Sequence, residues 1–324
     1  MQALTLTRPT AMRDAVAAAS HPEAAYIAGG TDLLQLAKDN VATPSRLVDL
    51  EGLNRSAIHA SANGLRLEHL ARMSDVAAHP EVVRRWPVLS QALLASASPQ
   101  VRNMGTMGGN LLQRTRCGYF RDTAFACNKR MPGSGCSAIR GENRNLAILG
   151  VSEHCIASHP SDMAVALAAL DAELELVGQN GVRRVALRDF HREPGDTPHI
   201  ETVLEPGELI SAIEVPASAA AQRSAYVKVR DRASFEWAVV SAAVAMEVAD
   251  GTIRDVRVAA GGVGTKPWRL PEVEAALTGK AADAGTLKAA AEQAGAGAKP
   301  ASRNGFKVVL LKRTVLRALQ TVAV

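Results

Sequence analysis

The sequence predicts an α+β protein with two domains, and three observations support this. Of its 324 residues, 47% are hydrophobic and 21% are charged, which is typical of a globular protein and excludes a disordered or fibrous one. Short strand and helix patterns alternate through the first two thirds of the chain. A linker-like stretch of small residues at 216–224 then precedes longer strands and Ala-rich helices. We therefore predict a first domain over residues 1–218 and a second over 224–324.

Each element follows from a local pattern. An apolar strand at 24–28 ends in Gly29 and Gly30, and Thr31 is expected to cap a helix at 33–38. Further strands are predicted at 46–49, 64–67 and 172–177, and further helices at 73–79, 88–95 and 163–170, the last capped by Ser161 or Asp162. The second domain is expected to hold strands at 225–230, 237–248 and 256–260, followed by helices that end with 305–322.

Neither a membrane span nor an export signal of its own is expected. The uncharged apolar run at 237–246 is far shorter than the roughly 18 residues that a membrane-spanning helix needs. The first 20 residues have no apolar core behind a basic start, and Asp14 interrupts them.

The cysteines and the positive charge are concentrated in one segment. All four cysteines, Cys117, Cys127, Cys136 and Cys155, lie within 39 residues. Residues 113–145 hold seven cations and two acids, a net +5 that equals the net charge of the whole chain. The cations are Arg114, Arg116, Arg121, Lys129, Arg130, Arg140 and Arg144, and the acids are Asp122 and Glu142.

Four clustered thiols have several interpretations. One interpretation is disulfide bonds in an exported protein, and a second is a zinc site that includes residues such as His154 and His159. A third is an iron–sulfur cluster, and a fourth is that the thiols are simply buried and free. The short spacing that is usual in structural zinc sites is absent. Four thiolates leave a charge of about −2 around either zinc or an oxidised 4Fe–4S core, so the basic surroundings suit both. The basic residues themselves are also consistent with a solvated loop.

Two glycine loops offer backbone amides to an anion. Gly29 and Gly30 follow a strand and precede a helix, and the second loop combines three glycines with Thr106 and Asn110. Each loop alone is also explained as a tight turn, and the dinucleotide motif G-x-G-x-x-G is absent. Together they indicate a diphosphate held from two sides.

Four motifs in order give a specific resemblance. YIAGGTDLL at 26–34, QVRNMGTMGGNLL at 100–112, HPSDMAVAL at 159–167 and YVKVRDRASF at 226–235 resemble the FAD-binding subunit of the xanthine dehydrogenase, or molybdenum hydroxylase, family. The cysteines lie in an insertion over about residues 113–158, between two of these motifs. That insertion is similar to the branch of periplasmic aldehyde oxidoreductases whose flavin subunit carries an extra 4Fe–4S cluster. The benzoyl-CoA-type reductases are the less similar branch.

The resemblance implies the fold, the cofactors and the site. The fold would be a two-part FAD-binding domain of the vanillyl-alcohol-oxidase type, followed by a smaller domain with an antiparallel sheet and helices. Cys117, Cys127, Cys136 and Cys155 would ligate the 4Fe–4S cluster. Trp237 would cover one face of the flavin, although a core aromatic explains it equally well. FAD would contact Tyr26, Ile27, Ala28, Gly29, Gly30, Thr31, Asp32, Leu33, Leu34, Thr106, Gly109, Asn110, Asp162, Leu209, Ile210 and Lys228.

The resemblance also implies a role in a heterotrimer. A large molybdenum-cofactor subunit would convert an aldehyde to a carboxylic acid, and a small 2Fe–2S subunit would pass electrons through FAD to an external acceptor. The flavin itself, and no certain side chain, would be catalytic in this chain, and the 4Fe–4S cluster would be a relay or a structural staple. The complex is expected in the periplasm by co-export with a signal-bearing partner, with the cytoplasm as the alternative.

Two other functions compete with this one. A basic zinc protein that binds nucleic acid would need aromatic side chains for base stacking, and aromatics are only 3% of the chain. A stand-alone flavin oxidase would leave the cysteine insertion without a purpose. Neither nucleic acid nor a membrane is therefore expected as a partner.

Overall fold

Three β-sheets with helices between them make up the chain, and the computed structural model describes residues 3–323. The strands are β1 (Thr5–Thr7), β2 (Ala24–Ile27), β3 (Arg46–Asp49), β4 (Ile58–Ser61), β5 (Gly64–Glu68), β6 (Glu173–Gly178), β7 (Gly181–Ala186), β8 (Leu209–Pro216), β9 (Ser224–Val229), β10 (Val240–Ala249), β11 (Thr252–Gly261) and β12 (Trp268–Arg269).

The helices are short apart from the last. They are α1 (Met12–Ala19), α2 (Leu33–Lys38), α3 (Met73–Ala78), α4 (Pro80–Arg85), α5 (Pro87–Ala95), α6 (Pro99–Met104), α7 (Met107–Leu111), α8 (Gly118–Arg121), α9 (Asp162–Ala169), α10 (Leu187–Phe190), α11 (Ala219–Gln222), α12 (Pro271–Leu277), α13 (Ala284–Ala291) and α14 (Phe306–Ala323). No helix in this described range is long and apolar enough to cross a membrane.

The first sheet is parallel and places the first glycine loop. Its strand order is β1-β3-β2, and Ala15 and Val16 of α1 pack against Val48 of β3. Gly29 and Gly30 follow the carboxyl end of β2, the edge at which open parallel sheets bind their ligands.

The second sheet is antiparallel, and helix α9 lies between it and the third sheet. The order is β4-β5-β8-β6-β7, so β8 returns to pair between β5 and β6. All eight residues of α9 are buried, because the helix contacts α5 as well as β10 and β11. Ser161 caps this helix as predicted, since its Oγ accepts a hydrogen bond from the Ala164 amide at 3.0 Å.

The third sheet, β12-β11-β10-β9, is antiparallel throughout, and α14 packs on it. This arrangement confirms the predicted α+β class with a C-terminal sheet and helices. Two local predictions were wrong. Strand β10 begins at Val240 and not at Trp237, and residues 216–224 are not a free linker, because they contain α11. Ala220 and Ala221 are buried there, since their small side chains allow α11 to pack against β10.

The end of the cysteine segment packs into the C-terminal part of the chain. The Ile148 amide donates to the Val263 carbonyl at 2.8 Å, and Leu149 forms a parallel bridge with Gly264. The buried Lys307 of α14 donates to the carbonyls of Leu146 and Gly262 at 3.0 and 2.8 Å. The insertion is therefore held between the two parts of the chain.

Candidate functional site

A cavity of about 470 Å³ lies where the two glycine loops meet the segment before β10. This volume is in the range of ordinary ligand sites. Most of the predicted FAD contacts line it, although they are far apart in sequence. They are Tyr26, Ile27, Ala28, Gly29, Gly30, Thr31, Asp32, Leu33, Thr106, Gly109, Asn110, Leu209 and Ile210.

The backbones of the two loops touch at Gly29. A Cβ on Gly29 would lie 2.0 Å from the Met104 carbonyl oxygen, so only glycine permits this approach. Gly30 has a φ of +69°, a conformation that favours glycine. The second loop is ordered by Thr106, whose Oγ1 accepts from the Gly109 amide at 3.2 Å. The two loops thus meet at one wall of the cavity. The amides of Gly105, Met107, Gly108 and Gly109 in the second loop already donate within the chain, so the backbone amides that suit a diphosphate are those of the first loop.

Asp32 joins the first loop to the cysteine insertion. The prediction that Thr31 caps α2 was wrong, because Asp32 occupies the cap position and makes no side-chain capping bond. Its carboxylate instead accepts from the Arg114 amide and from Arg121, both at 2.7 Å, and pairs with Arg116 at 2.8 Å. Charge-assisted bonds to the insertion therefore replace the local cap.

Asp162 and Lys228 form a buried ion pair and do not line the large cavity. Lys228 Nζ lies 2.9 Å from Asp162 Oδ2, and the two side chains are only 4% and 3% exposed. Asp162 also accepts from Tyr226 at 2.6 Å and from Ser96 at 2.8 Å, and Ser96 lines the large cavity. Burial, together with the Asp162 charge, holds the pKa of Tyr226 well above its usual value. The pair thus joins α9, β9 and the end of α5 beside the cavity.

The two remaining predicted residues, Leu34 and Trp237, differ in whether they line the large cavity. Leu34 is 38% exposed and is not among the residues that line the large cavity in the described chain. Trp237, also 38% exposed, lines both the large cavity and a smaller one of about 100 Å³, and it is not a core aromatic. The Arg116 guanidinium lies over the Trp237 ring, 4.3 Å from its centroid.

The four cysteines surround one small cavity. Cys117, Cys127 and Cys155 are buried, Cys136 is partly buried, and all four are free of disulfide bonds. Burial raises the pKa of Cys117 and raises that of Cys155 to about 11, so these isolated thiols hold their protons. Across residues 3–323, no three His, Cys, Asp or Glu side chains are placed to hold a single metal ion.

The two histidines considered as zinc ligands have different surroundings. His159 is fully buried, its ring packs edge-on against that of His191 at 4.4 Å, and burial holds its pKa well below the usual value. His154 lines the small cavity of the cysteines, and its Nε2 lies 3.4 Å from the Asp196 carboxylate. His159 lines a different cavity, and the interpretation of a zinc site stays a prediction.

Most of the basic residues of the insertion are bound by other groups, and Arg140 is exposed to solvent. Arg114 and Lys129 both pair with Glu201, the latter at 2.5 Å. Arg130 donates to the carbonyls of Tyr119 and Phe120 at 2.9 and 2.7 Å. These contacts thus hold the insertion against the rest of the chain and keep positive charge close to the four thiols.

Sequence reasoning missed part of the large cavity. The missed lining residues include His69, Met73, Ser96, Val101, Arg114, Arg116, Phe235 and Glu236. Val101 and Phe235 lie in two of the family motifs, and the arginines belong to the basic segment, but none of them was assigned to the FAD site. The pairing of the arginines with Asp32, more than 80 residues earlier, could not be seen in the sequence.

Comparison with known proteins decides the family. A model described as the FAD binding domain in molybdopterin dehydrogenase matches residues 2–218. The chain belongs to this family. A second model, the CO dehydrogenase flavoprotein C-terminal domain, matches residues 224–322. Membership in the molybdopterin dehydrogenase family confirms the predicted FAD and the assignment as an oxidoreductase subunit.

Relatives cover almost the whole length of this molybdopterin dehydrogenase chain. It is 48% identical to the aldehyde oxidoreductase FAD-binding subunit of Escherichia coli, over 98% of both chains. It is 28% identical to the carbon monoxide dehydrogenase medium chain of Afipia carboxidovorans, over 96% of this chain and 95% of that one. The solved carbon monoxide dehydrogenase of Hydrogenophaga pseudoflava superposes with a TM-score of 0.77 at 27% identity, over 99% and 97% of the two chains.

Proposed function

We propose that this chain is the FAD-binding, electron-transfer subunit of a molybdenum-dependent aldehyde oxidoreductase. The observation that carries the proposal is the 48% identity to an aldehyde oxidoreductase subunit along the full length of both chains. Other relatives, such as the carbon monoxide dehydrogenase medium chains, are no more than 28% identical. The aldehyde class rests on this relative and on the 28% identical glyceraldehyde dehydrogenase medium chain of Sulfolobus acidocaldarius, and the flavin chemistry rests on the family.

The chain's own residues bind and orient the cofactor. The amides around Gly29 and Gly30 would hold the pyrophosphate, and the side chains of Thr106 and Asn110 would line its other side. FAD, when bound, supplies a group that exchanges electrons one or two at a time. Leu209 and Ile210 supply apolar contact and exclude water from one wall of the cavity.

We also propose that Cys117, Cys127, Cys136 and Cys155 hold a 4Fe–4S cluster. Four thiols that surround one cavity are the donor set of such a cluster, and a cluster places its ligands farther apart than a single ion does. Because burial raises the pKa of Cys117 and of Cys155, cluster binding must release the protons of these two thiols. Burial outweighs the nearby Lys129 at Cys155, but the positive charge of Lys129 opposes that rise in pKa and would offset part of the negative charge of a cluster. A cluster here serves as a relay or as a staple for a long loop.

The proposed partners are a large molybdenum-cofactor subunit, which holds the aldehyde, and a small 2Fe–2S subunit. We propose export to the periplasm with a signal-bearing partner, and a cytoplasmic complex is the alternative. Fractionation of cells that express the complex with and without the partner's leader tests this. Retention of the chain in the cytoplasm in both strains would contradict export.

Metal and flavin analysis of the anaerobically purified complex tests the cofactors. We expect one FAD per copy of this chain, and about four iron atoms beyond those of the small subunit. Cys127→Ser should lose that extra iron, whereas Thr123→Ala, an exposed hydroxyl in the same insertion, should retain it. If the complex holds FAD and has zinc in place of the extra iron, the proposed 4Fe–4S cluster is overturned and the family fold is unaffected. Absence of FAD would overturn the proposed function.

If the cluster only stabilises the fold of the long loop, Cys127→Ser is expected to lose the signal of the extra iron and to keep its turnover with an artificial oxidant. If the cluster is an obligatory relay, turnover is lost together with the iron. Measurement of the iron content and of the turnover rate in one preparation of the variant distinguishes the structural role from the relay role.

A further inference from the structure

Arg116 connects three parts of the molecule. It belongs to the cysteine insertion, directly before Cys117. Its Nη1 pairs with Asp32 of the first glycine loop at 2.8 Å. Its guanidinium lies over the ring of Trp237, which precedes β10 in the C-terminal part. Arg116, Asp32 and Trp237 all line the large cavity.

We propose that Arg116 is a positioning residue that holds Trp237 across the mouth of the large cavity and so limits which oxidants reach the bound flavin. The inference rests on the proposed function and deepens it, because it names what controls access at the acceptor side of the same site. It also assigns a task to the cysteine insertion that does not depend on its metal.

Arg116 is well fixed for this task. Its side chain is 20% exposed, and its Nη2 also donates to Gln113 at 3.3 Å. Asp32 is itself held by the Arg114 amide and by Arg121, so the carboxylate that orients Arg116 cannot turn away. The guanidinium that pairs with Asp32 also faces the indole ring, which attracts a cation.

The Trp237 backbone, by contrast, lies outside the sheet, and its amide donates to the neighbouring Glu236 carboxylate at 2.9 Å. The first amide that bonds to β9 is that of Val239, two residues later. The neighbouring Phe235 is 57% exposed and has a φ of +51°, which is unfavourable for an aromatic residue. The other end of this segment is tied to the insertion as well, because Arg144 pairs with Asp231 at 2.8 and 3.0 Å. Two arginines of the insertion thus fix the segment that crosses the cavity mouth.

Acrylamide quenching of tryptophan fluorescence in the full chain tests the contact directly. The chain has three tryptophans, and comparison with Trp237→Phe isolates the Trp237 component. Arg116→Gln should raise the quenching constant of that component about twofold, because the ring loses its cover. Arg116→Lys should give an intermediate value, since it keeps the charge and lacks the planar group.

The chain offers a matched control. Arg85 lies over Trp86 at 4.4 Å, away from the cavity, and Trp86 is only 1% exposed. Arg85→Gln should therefore leave the quenching constants unchanged. An unchanged Trp237 component in Arg116→Gln overturns the proposal, whatever the flavin content of the protein.

Reoxidation of the reduced complex gives a second, independent readout. We would compare the rate with a bulky dye, dichlorophenolindophenol, to the rate with dioxygen. Arg116→Gln and Trp237→Leu should both raise the dye-to-dioxygen ratio, and Trp237→Leu leaves the Asp32 pairs intact if Arg116→Gln does not fold. A ratio that stays at the wild-type value in Trp237→Leu overturns the gating role. Wild-type protein without flavin would instead refute the proposed function, and the quenching test would still decide the contact.

Discussion

Gly29→Ala is expected to damage the large cavity by pushing its two loops apart. The added Cβ would lie 2.0 Å from the Met104 carbonyl oxygen and 2.7 Å from the Met104 carbonyl carbon. Real Cβ atoms essentially never approach such atoms within 3.0 Å, so the loops must separate by about 1 Å. Both atoms belong to the backbone, and no side-chain rotation relieves the contact.

Overpacking of this kind costs about 1–3 kcal/mol. In the unliganded chain the two loops relieve the contact by moving apart. FAD would contact both loops at once and would have to bring them back together, so a cost of up to this size falls on binding, and Kd for FAD should rise about 5- to 160-fold. Folding without FAD should lose less free energy than this, because the separated loops avoid most of the contact.

Titration of the flavin-free chain with FAD, followed by flavin fluorescence, measures the effect. Gly305→Ala is the matched control, because Gly305 is exposed and a Cβ there meets no atom within 4 Å. We expect wild-type affinity in this control. Wild-type affinity in Gly29→Ala, or an equal loss in Gly305→Ala, would refute the reasoning from loop contact.

Two further predictions concern buried charge. Asp162→Asn leaves the buried Lys228 ammonium without its carboxylate and should cost about 3–5 kcal/mol in urea unfolding, whereas Asp231→Asn, which removes the exposed pair with Arg144, should cost less than about 1 kcal/mol. Equal losses of unfolding free energy in the two variants would contradict this prediction. Burial lowers the pKa of His191 to about 4, so the unfolded chain binds more protons below pH 6.5 and stability falls as pH drops toward 4. Between pH 7 and pH 5 this residue should account for a loss of about 2 kcal/mol. His191→Gln should remove that loss, whereas His199→Gln, at an exposed position, should not. If the dependence of unfolding free energy on pH is unchanged in His191→Gln, another group causes it.

Local chemistry explains where sequence-based expectations succeeded. Ser161 was recognised as a cap because a hydroxyl before an apolar helix binds its free amides, and this depends only on neighbouring residues. Gly29 and Gly30 were recognised because a strand, two glycines and a helix in succession define a loop of free amides. Cys117, Cys127, Cys136 and Cys155 were grouped by proximity along the chain, and the structure brings them to one cavity.

The expectation for Thr31 failed for a non-local reason. Local preference favoured a threonine cap, but the helix begins after Asp32, whose carboxylate is bound by three groups from the insertion. Similarly, Trp237 was predicted within a strand, and it lies before one, where Arg116 holds its ring. In both cases an arginine that is distant in sequence decides the position.

The amino-acid sequence by itself determined the α+β class, the two glycine loops, the cysteine cluster and the family, because each depends on residue types at short spacing. Only the tertiary structure decided how these parts meet. It placed Asp162 with Lys228 in a buried pair, tied Asp32 to the insertion, and set Trp237 under Arg116 in the lining of the large cavity. These contacts join residues about 65 to 120 positions apart, and charge pairing over such separations depends on how the chain folds and not on local preference.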